Sequence, residues 1–425
     1  MGPLLRGWRE RALLTQEQLA ERAGLNVRTV RRLEAGGPRR PRTASIVMLA
    51  TALGLDGAER ATLSAVARGH PAPAGRDDPA AVGSPPVIAP RQLPADVSAL
   101  AGRRPELAIV EGHRSGNTVP VVCVSGMAGV GKTALAVHAA HRLAPEYPDG
   151  QLFVNLHGHA PDTAPVEPDA ALARLLRTLG VPGEHIPWHL DDRAALYRSV
   201  LAGRKVLIVL DDAADEGQIH PLLPAGRECR VIVTSRRRLS GPGDARSLSL
   251  NVLPVTDAVA LFARVAGRGR IAGAPADILA EVVRRCGLLP LAIRIAAARL
   301  RAHPAWSVRH LLDRLAGDRL AELAAGRHSV AAALDLSYER LPAEPRQAYR
   351  LLGAYVRADF GLHAAAALLG TTTIEARRLL DQLLDAQLLQ ERAPGRYRLH
   401  DLVSDHASAL GAATHGGQLL RPLTS

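Results

Sequence analysis

Lysine is nearly absent from this chain. Of its 53 basic residues only Lys132 and Lys205 are lysines, and arginine carries the rest of the positive charge. Aromatic residues make up 3%, so the cores must be built from Leu, Ala and Val. The three cysteines, Cys123, Cys229 and Cys286, stand far apart in apolar surroundings, with no C-x-x-C pair and no histidine at metal-ligand spacing. That excludes a disulfide framework and a zinc site, and fits buried thiols in a reducing cytoplasm. No basic stretch followed by an apolar one opens the chain, and its longest uncharged run, 115–131, is broken by glycines. Neither secretion nor membrane spanning is expected, so the predicted location is cytoplasmic.

What is present points to several globular domains. A chain of 425 residues, 47% hydrophobic and 22% charged, suggests about three cores. The formal charge of +12 would suit a nucleic acid, although part of it follows from an Arg- and Ala-rich composition. The surplus is more telling where it clusters: residues 1–70 carry twelve Arg against six Asp plus Glu. There the pattern predicts short helices over 4–14, from Thr15 to Gly24, over 27–34, 43–55 and 57–68. Thr15 with Gln18 makes a capping box, Gly24 ends the second helix, and Asn26 caps the third. The central pair has the layout of a helix-turn-helix, with Leu19, Ala20, Ala23, Val30 and Leu33 as its core. Gln16, Arg28, Thr29, Arg31 and Arg32 are then the candidate contacts to double-stranded DNA. A plain helical bundle with a solvated basic face is the alternative. Seven prolines between residues 70 and 94 mark a linker, assigned to 71–97.

The rare Lys132 sits in Gly126-Met127-Ala128-Gly129-Val130-Gly131-Lys132-Thr133, which spells G-x-x-x-x-G-K-[ST], a phosphate-cradling loop. An apolar strand, 119–124, precedes it and a helix, 132–143, follows, as the motif requires. Further strands are predicted over 151–156, 205–210 and 230–236, with helices over 170–179 and 193–201. Such unbroken apolar runs alternating with helices indicate a parallel sheet covered on both faces. In this setting Lys132 reaches terminal phosphates, while Thr133 and Asp211 hold Mg²⁺. Asp212 can orient or deprotonate the attacking water, and Arg236 can sense a γ-phosphate. Each has a plainer alternative: Asp211 capping a turn, Asp212 a surface carboxylate, Arg236 a surface arginine in Arg236-Arg237-Arg238. Beyond residue 254 the pattern is helical, over 257–266, 276–286, 291–302, 308–315 and then from 330 to 389. A hairpin at 389–399, turning on Pro394-Gly395, suggests a winged helix.

On these marks the chain resembles a STAND-class NTPase of the NB-ARC kind, joined to a Cro-like (Xre-type) helix-turn-helix as in actinobacterial transcriptional regulators. The marks are Gly102-Arg103, the phosphate loop, the 205–212 strand with its aspartates, the 231–236 strand, Gly287-Leu288-Leu289-Pro290-Leu291-Ala292 and Leu399-His400-Asp401. The expected fold is multidomain: an all-α helix-turn-helix bundle (1–70), the linker, a P-loop α/β parallel sheet (98–254), a helical domain (255–325), a winged helix (326–412) and a tail (413–425). The resemblance implies ATP or ADP with Mg²⁺. It implies Gly102-Arg103 on the adenine, Pro290 by the adenosine, and His400 on the ADP β-phosphate. From the residues alone, His400 reads as a structural histidine and Asp401 equally as a helix cap. Relatives usually continue into a sensing repeat domain. This chain stops at Ser425, so the expected input side is missing, lost or supplied by a separate sensor protein. The implied function is an ATP/ADP-switched DNA-binding transcriptional regulator, a slow ATPase whose ATP-bound form is a homo-oligomer. The alternative is a defence or signalling ATPase whose first helices bind a protein.

Overall fold

A computed structural model of the chain describes residues 2–12, 14–35, 43–55, 60, 63–64, 67, 89–97, 100–112, 116, 118–160, 163–241, 243–326, 328–356 and 358–415. The chain divides into two compact units, Met1–Pro86 and Val87–Ser425. Among the described residues no helix is long and apolar enough to cross a membrane.

The first unit holds α1 (Gly2–Arg11), α2 (Gln16–Arg22), α3 (Val27–Glu34) and α4 (Thr43–Ala52). The predicted caps are present. Thr15 Oγ1 accepts from the Gln18 N–H at 3.1 Å, Gln18 Oε1 accepts from the Thr15 N–H at 2.9 Å, and Asn26 Oδ1 accepts from the Arg28 N–H at 2.8 Å. Leu5, Leu19, Val30 and Leu49 are fully buried in the core. Glu34 is buried beside them, a charge that needs a partner there. Arg9 supplies it through Nε at 2.6 Å and Nη2 at 3.1 Å. The fifth helix expected over 57–68 falls largely outside the described residues.

The second unit is built on a five-stranded parallel sheet of β1 (Val121–Ser125), β2 (Gly150–Asn155), β3 (Val206–Ala213), β4 (Arg230–Ser235) and β5 (Arg246–Ser249). Its strand order is β2-β3-β4-β1-β5. One face packs on α7 (Pro168–Thr178) and α8 (Leu190–Leu201) through Leu152, Ile208, Leu210 and Val233. The other carries α5 (Arg104–Gly112) and α6 (Lys132–Leu143), and its core continues through the helices that follow. β5 was not foreseen: in Arg246-Ser247-Leu248-Ser249 only Leu248 is buried, as befits an edge strand. The predicted linker ends early, because Pro90 and Gln92 pair with β2 through Gln151 N–H to Pro90 O at 2.6 Å and Gln92 N–H to Gln151 O at 2.9 Å.

Four longer helices follow, α9 (Val255–Ala266), α10 (Ala276–Arg285), α11 (Pro290–Ala302) and α12 (Val308–Ala316), with two single-turn helices at Arg268–Ile271 and Arg319–Glu322. Then come α13 (Val330–Tyr338), α14 (Ala343–Tyr355), α15 (Leu362–Leu369), α16 (Thr373–Asp385) and α17 (Asp401–His415). With them a small antiparallel sheet of β6 (Phe360–Gly361), β7 (Gln390–Ala393) and β8 (Arg396–Arg398), in the order β6-β8-β7, completes a winged helix. The hairpin was legible in the sequence; the two-residue strand β6 was not. α17 runs to His415, so the start of the expected tail is helical.

Candidate nucleotide site

A cavity of about 530 Å³ opens at the carboxyl ends of the strands. That is where parallel α/β sheets bind ligands. The phosphate loop forms its floor. Gly131, at φ +100, is the N-cap of α6 and offers no side chain to the first N–H groups of the helix, which leaves them for an anion. Gly129, at φ +77, approaches α11 so closely that a Cβ there would stand 2.7 Å from Leu291 Cβ, and Leu291 N–H donates to Gly129 O at 3.1 Å. Gly129, Val130, Gly131, Lys132 and Thr133 line the cavity. Gly126, Met127 and Ala128 lie behind it. The carbonyls of Gly126 and Met127 accept from Lys132 Nζ at 2.8 and 3.0 Å. Burial, with Arg236 nearby, pulls the Lys132 ammonium down to about 7, against Asp212 and Asp211, which raise it. A phosphate in the cavity would restore the full positive charge.

The loop meets β3 through one hydroxyl. Thr133 Oγ1 donates to Asp211 Oδ1 at 2.8 Å, and Thr234 Oγ1 donates to the same oxygen at 2.6 Å. Burial pushes the Asp211 carboxyl up against those two bonds. Thr133 and Asp211 are thus adjacent hard oxygens, the donor type Mg²⁺ takes when phosphates and waters complete its shell. Asp212 stands differently. Burial would raise it, but the His159 ring and main-chain N–H, with Arg236, hold its carboxyl down to about 2. Asp212 lines the same cavity, with its Oδ2 accepting from the His159 N–H at 2.7 Å.

Three further expectations meet a different arrangement. Arg103 lines the cavity but its guanidinium is committed elsewhere: Nη2 donates to Val130 O at 3.2 Å and Asn251 O at 2.6 Å, and Nη1 to Glu106 Oε1 at 3.0 Å. It braces the phosphate loop from behind. Gly102 does not line the cavity and is required for packing, since a Cβ there would stand 2.6 Å from Asp257 Cβ. His400 is likewise outside the lining: Nε2 donates to Gly287 O at 2.8 Å, and Nδ1 accepts from the Leu402 N–H at 3.2 Å. Burial lowers its basicity, consistent with the neutral ring those bonds need. Pro290 does line the cavity. So does Arg236, whose Nε lies 3.8 Å from Asp212 Oδ1 and whose Nη1 donates to Ala333 O of α13 at 2.6 Å. Asn155, His157 and His159 also line it and were missed. Their only signal was a pair of histidines two apart after an apolar strand.

In the first unit the candidate DNA contacts split. Arg28 and Arg32 are exposed and make no ion pair among the described residues, and Thr29 is half-buried beside them. Arg31 is exposed but pairs with Glu17 at 2.6 Å. Gln16 Nε2 donates to buried Glu34 Oε2 at 2.6 Å, which assigns it to the core of the bundle more than to a base edge.

A model of the helix-turn-helix domain matches residues 1–63, and a model of the NB-ARC domain matches residues 108–271. The regulatory protein AfsR of Streptomyces coelicolor is 44% identical over 337 residues, covering 77% of this chain and 34% of that protein. AfsR of Streptomyces griseus is 45% identical, covering 76% of this chain and 33% of its own length. A putative HTH-type transcriptional regulator of Mycobacterium tuberculosis is 30% identical over 305 residues, covering 68% of this chain and 33% of its own. The chain therefore spans about a third of the length of these curated relatives. Among solved structures, the Aeropyrum pernix ORC2 protein in its ADPNP-ADP complexes aligns with a TM-score of 0.44 at 15% identity, covering 76% of this chain and 97% of that one.

Proposed function

This chain belongs to the proteins that join an amino-terminal helix-turn-helix to an NB-ARC domain, and from that premise we propose that it is a DNA-binding transcriptional regulator switched by ATP and ADP. The observation that carries the proposal is the position of Arg236. It faces the nucleotide cavity beside Asp212, and it reaches across to the main chain of α13, the first helix of the winged helix. A γ-phosphate competes for the same guanidinium, and a charged, bidentate partner outbids a carbonyl. ATP then draws Arg236 from α13 and loosens the winged helix, whereas ADP leaves that link in place.

The other residues have parts consistent with this. Lys132 and the loop N–H groups hold the phosphates. Thr133 and Asp211 would hold Mg²⁺, which neutralises phosphate charge when bound. Among the described residues no cluster of three His, Cys, Asp or Glu side chains could hold a metal, so phosphate oxygens and waters would supply its remaining ligands. His400 latches the winged helix to the Gly287 loop, a contribution to closure made without touching phosphate. Loosening exposes surfaces for homo-oligomerisation, which pairs helix-turn-helix domains on DNA through Arg28 and Arg32. Turnover is slow.

Two measurements on the full chain test this. Calorimetry should find Mg-ATP and Mg-ADP binding that Lys132→Ala removes, and a wild type that binds neither sinks the proposal. Gel-shift titration should find DNA binding that weakens steeply with salt and is lost in Arg28→Ala/Arg32→Ala. Retained binding in that double variant would return the helices to a protein-binding role.

A further inference from the structure

Asp212 is held in a strained pose in part by residues outside every motif. It lies at φ +53, where the β3–β4 register slips between Leu210 and Ala213. A non-glycine residue in the left-handed region persists only where its neighbours over-determine it. Here they do. Its N–H donates to Thr234 Oγ1 at 2.9 Å, its carbonyl accepts from the Gly158 N–H at 2.6 Å, and its Oδ2 accepts from the His159 N–H at 2.7 Å. The His159 ring is 3% exposed and sets Nδ1 at 3.3 Å from Oδ1. Gly158 lies so near that a Cβ there would stand 2.4 Å from Asp212 O. The segment makes this approach because His157, at φ +52, turns it back across the end of β3.

Two residues after β2, Gly158 and His159, therefore grip Asp212 by its carbonyl and its carboxylate through main-chain N–H groups, while the buried His159 ring, with no hydrogen-bond partner of its own at Nδ1, stands against the same carboxylate. Resting on the nucleotide reading of the cavity, the geometry points to His159 as a positioning residue that, with Gly158, fixes the Asp212 carboxylate where it orients the water attacking a terminal phosphate. Arg236 braces the same carboxylate from β4, on the opposite side. In the step so arranged, the water oxygen bonds to the γ-phosphorus as the bond to the bridging oxygen breaks. ADP leaves with that bond's electron pair, and the water proton passes to a γ-phosphate oxygen. Asp212 accepts a hydrogen bond throughout and is unchanged.

The test uses the full chain, with binding of ADP and of ADP with aluminium fluoride measured by calorimetry, and single-turnover hydrolysis of Mg-ATP alongside. Aluminium fluoride mimics the transferring phosphoryl group with its in-line water, so its added affinity reports water positioning even where turnover is slow. His159→Phe fills the space without a nitrogen, His159→Asn keeps a short donor, and Gly158→Ala shifts Asp212 without altering any polar side chain. ADP affinity should stay within about threefold in all three, whereas His159→Phe and Gly158→Ala should lose roughly 10- to 100-fold of the aluminium fluoride gain and of the hydrolysis rate. His159→Asn should recover part of it, and His159→Phe should add nothing to Asp212→Asn. If His159→Phe fails to fold, the other two variants decide. A His159→Phe protein that matches wild type, a His159→Asn protein no better than it, or a wild type that gains nothing from aluminium fluoride overturns the assignment. A wild type that binds no ADP removes the nucleotide reading itself, and this inference with it.

Discussion

Arg103→Lys separates two roles for one residue. Placed by resemblance it should contact adenine, yet its three hydrogen bonds go to Val130 O in the phosphate loop, Asn251 O beyond β5, and Glu106 at the start of α5. An ammonium is a single point and cannot span these three sites. With the side chain 4% exposed, water cannot replace the lost bonds. Hydrogen bonds to charged groups contribute about 1.5–3 kcal/mol each, so losing two sets an upper limit of roughly 3–6 kcal/mol. Burial already disfavours the charge on Arg103, which places the expected loss near the lower end, at about 3 kcal/mol. For a unit of this size that is a fall of roughly 4 °C in Tm, read by calorimetric melting. If about half of it falls on the loop, nucleotide affinity drops ~10-fold. The decisive reading is selectivity: a brace weakens ATP, GTP and tripolyphosphate alike. A loss confined to ATP, with tripolyphosphate affinity unchanged, would refute the brace and restore the base contact.

Other outcomes follow from the same contacts. Lys132→Ala should abolish the rise in Tm that ADP gives to wild type, checked by melting with and without nucleotide. Arg9→Met leaves the buried Glu34 carboxylate short of its main partner and should cost the first unit roughly 3 kcal/mol, seen as a lower denaturation midpoint. His400 and His159 both titrate below the ordinary 6.5, because burial disfavours their charged forms. The unfolded chain therefore binds more protons in that window, so the stability they contribute is present above about pH 6.5 and is lost as pH falls below it. Melting between about pH 7.5 and 5.5 should show this decline, and His400→Gln should flatten it; an unchanged slope would count against the His400 latch.

Much of this protein was legible because its signals are local. The phosphate loop, the helix it opens, the Thr15–Gln18 capping box and the Asn26 cap are each written within a few residues, and each is where the sequence puts it. Strands β1, β3 and β4 were readable because burial on both faces leaves an unbroken apolar run. β5 and β6 carry no such run. An edge strand with one buried side chain, and a two-residue strand in a wing, owe their existence to the neighbours they pair with.

The site residues divide along the same line. Thr133 and Asp211 stand 78 positions apart, yet their meeting was legible because each ends a local pattern whose partner is implied by chemistry. The partners of Arg103, Arg236 and His400 were not implied in that way, since a carbonyl is available at every residue and leaves no mark in sequence. What selects among carbonyls is topology. Strand β4 lies between β1 and β3, so Thr234 sits between the phosphate loop and the two aspartates. Its hydroxyl donates to Asp211 while accepting from the Asp212 N–H. The same strand then delivers Arg236 to the cavity mouth, within reach of α13. Parallel pairing of β2 with β3 sets Asn155 opposite Asp211, which carries His159 onto Asp212. A histidine no motif names thus becomes part of the site through strand order alone, and substitutions that disturb β2 register should affect hydrolysis before they affect nucleotide binding.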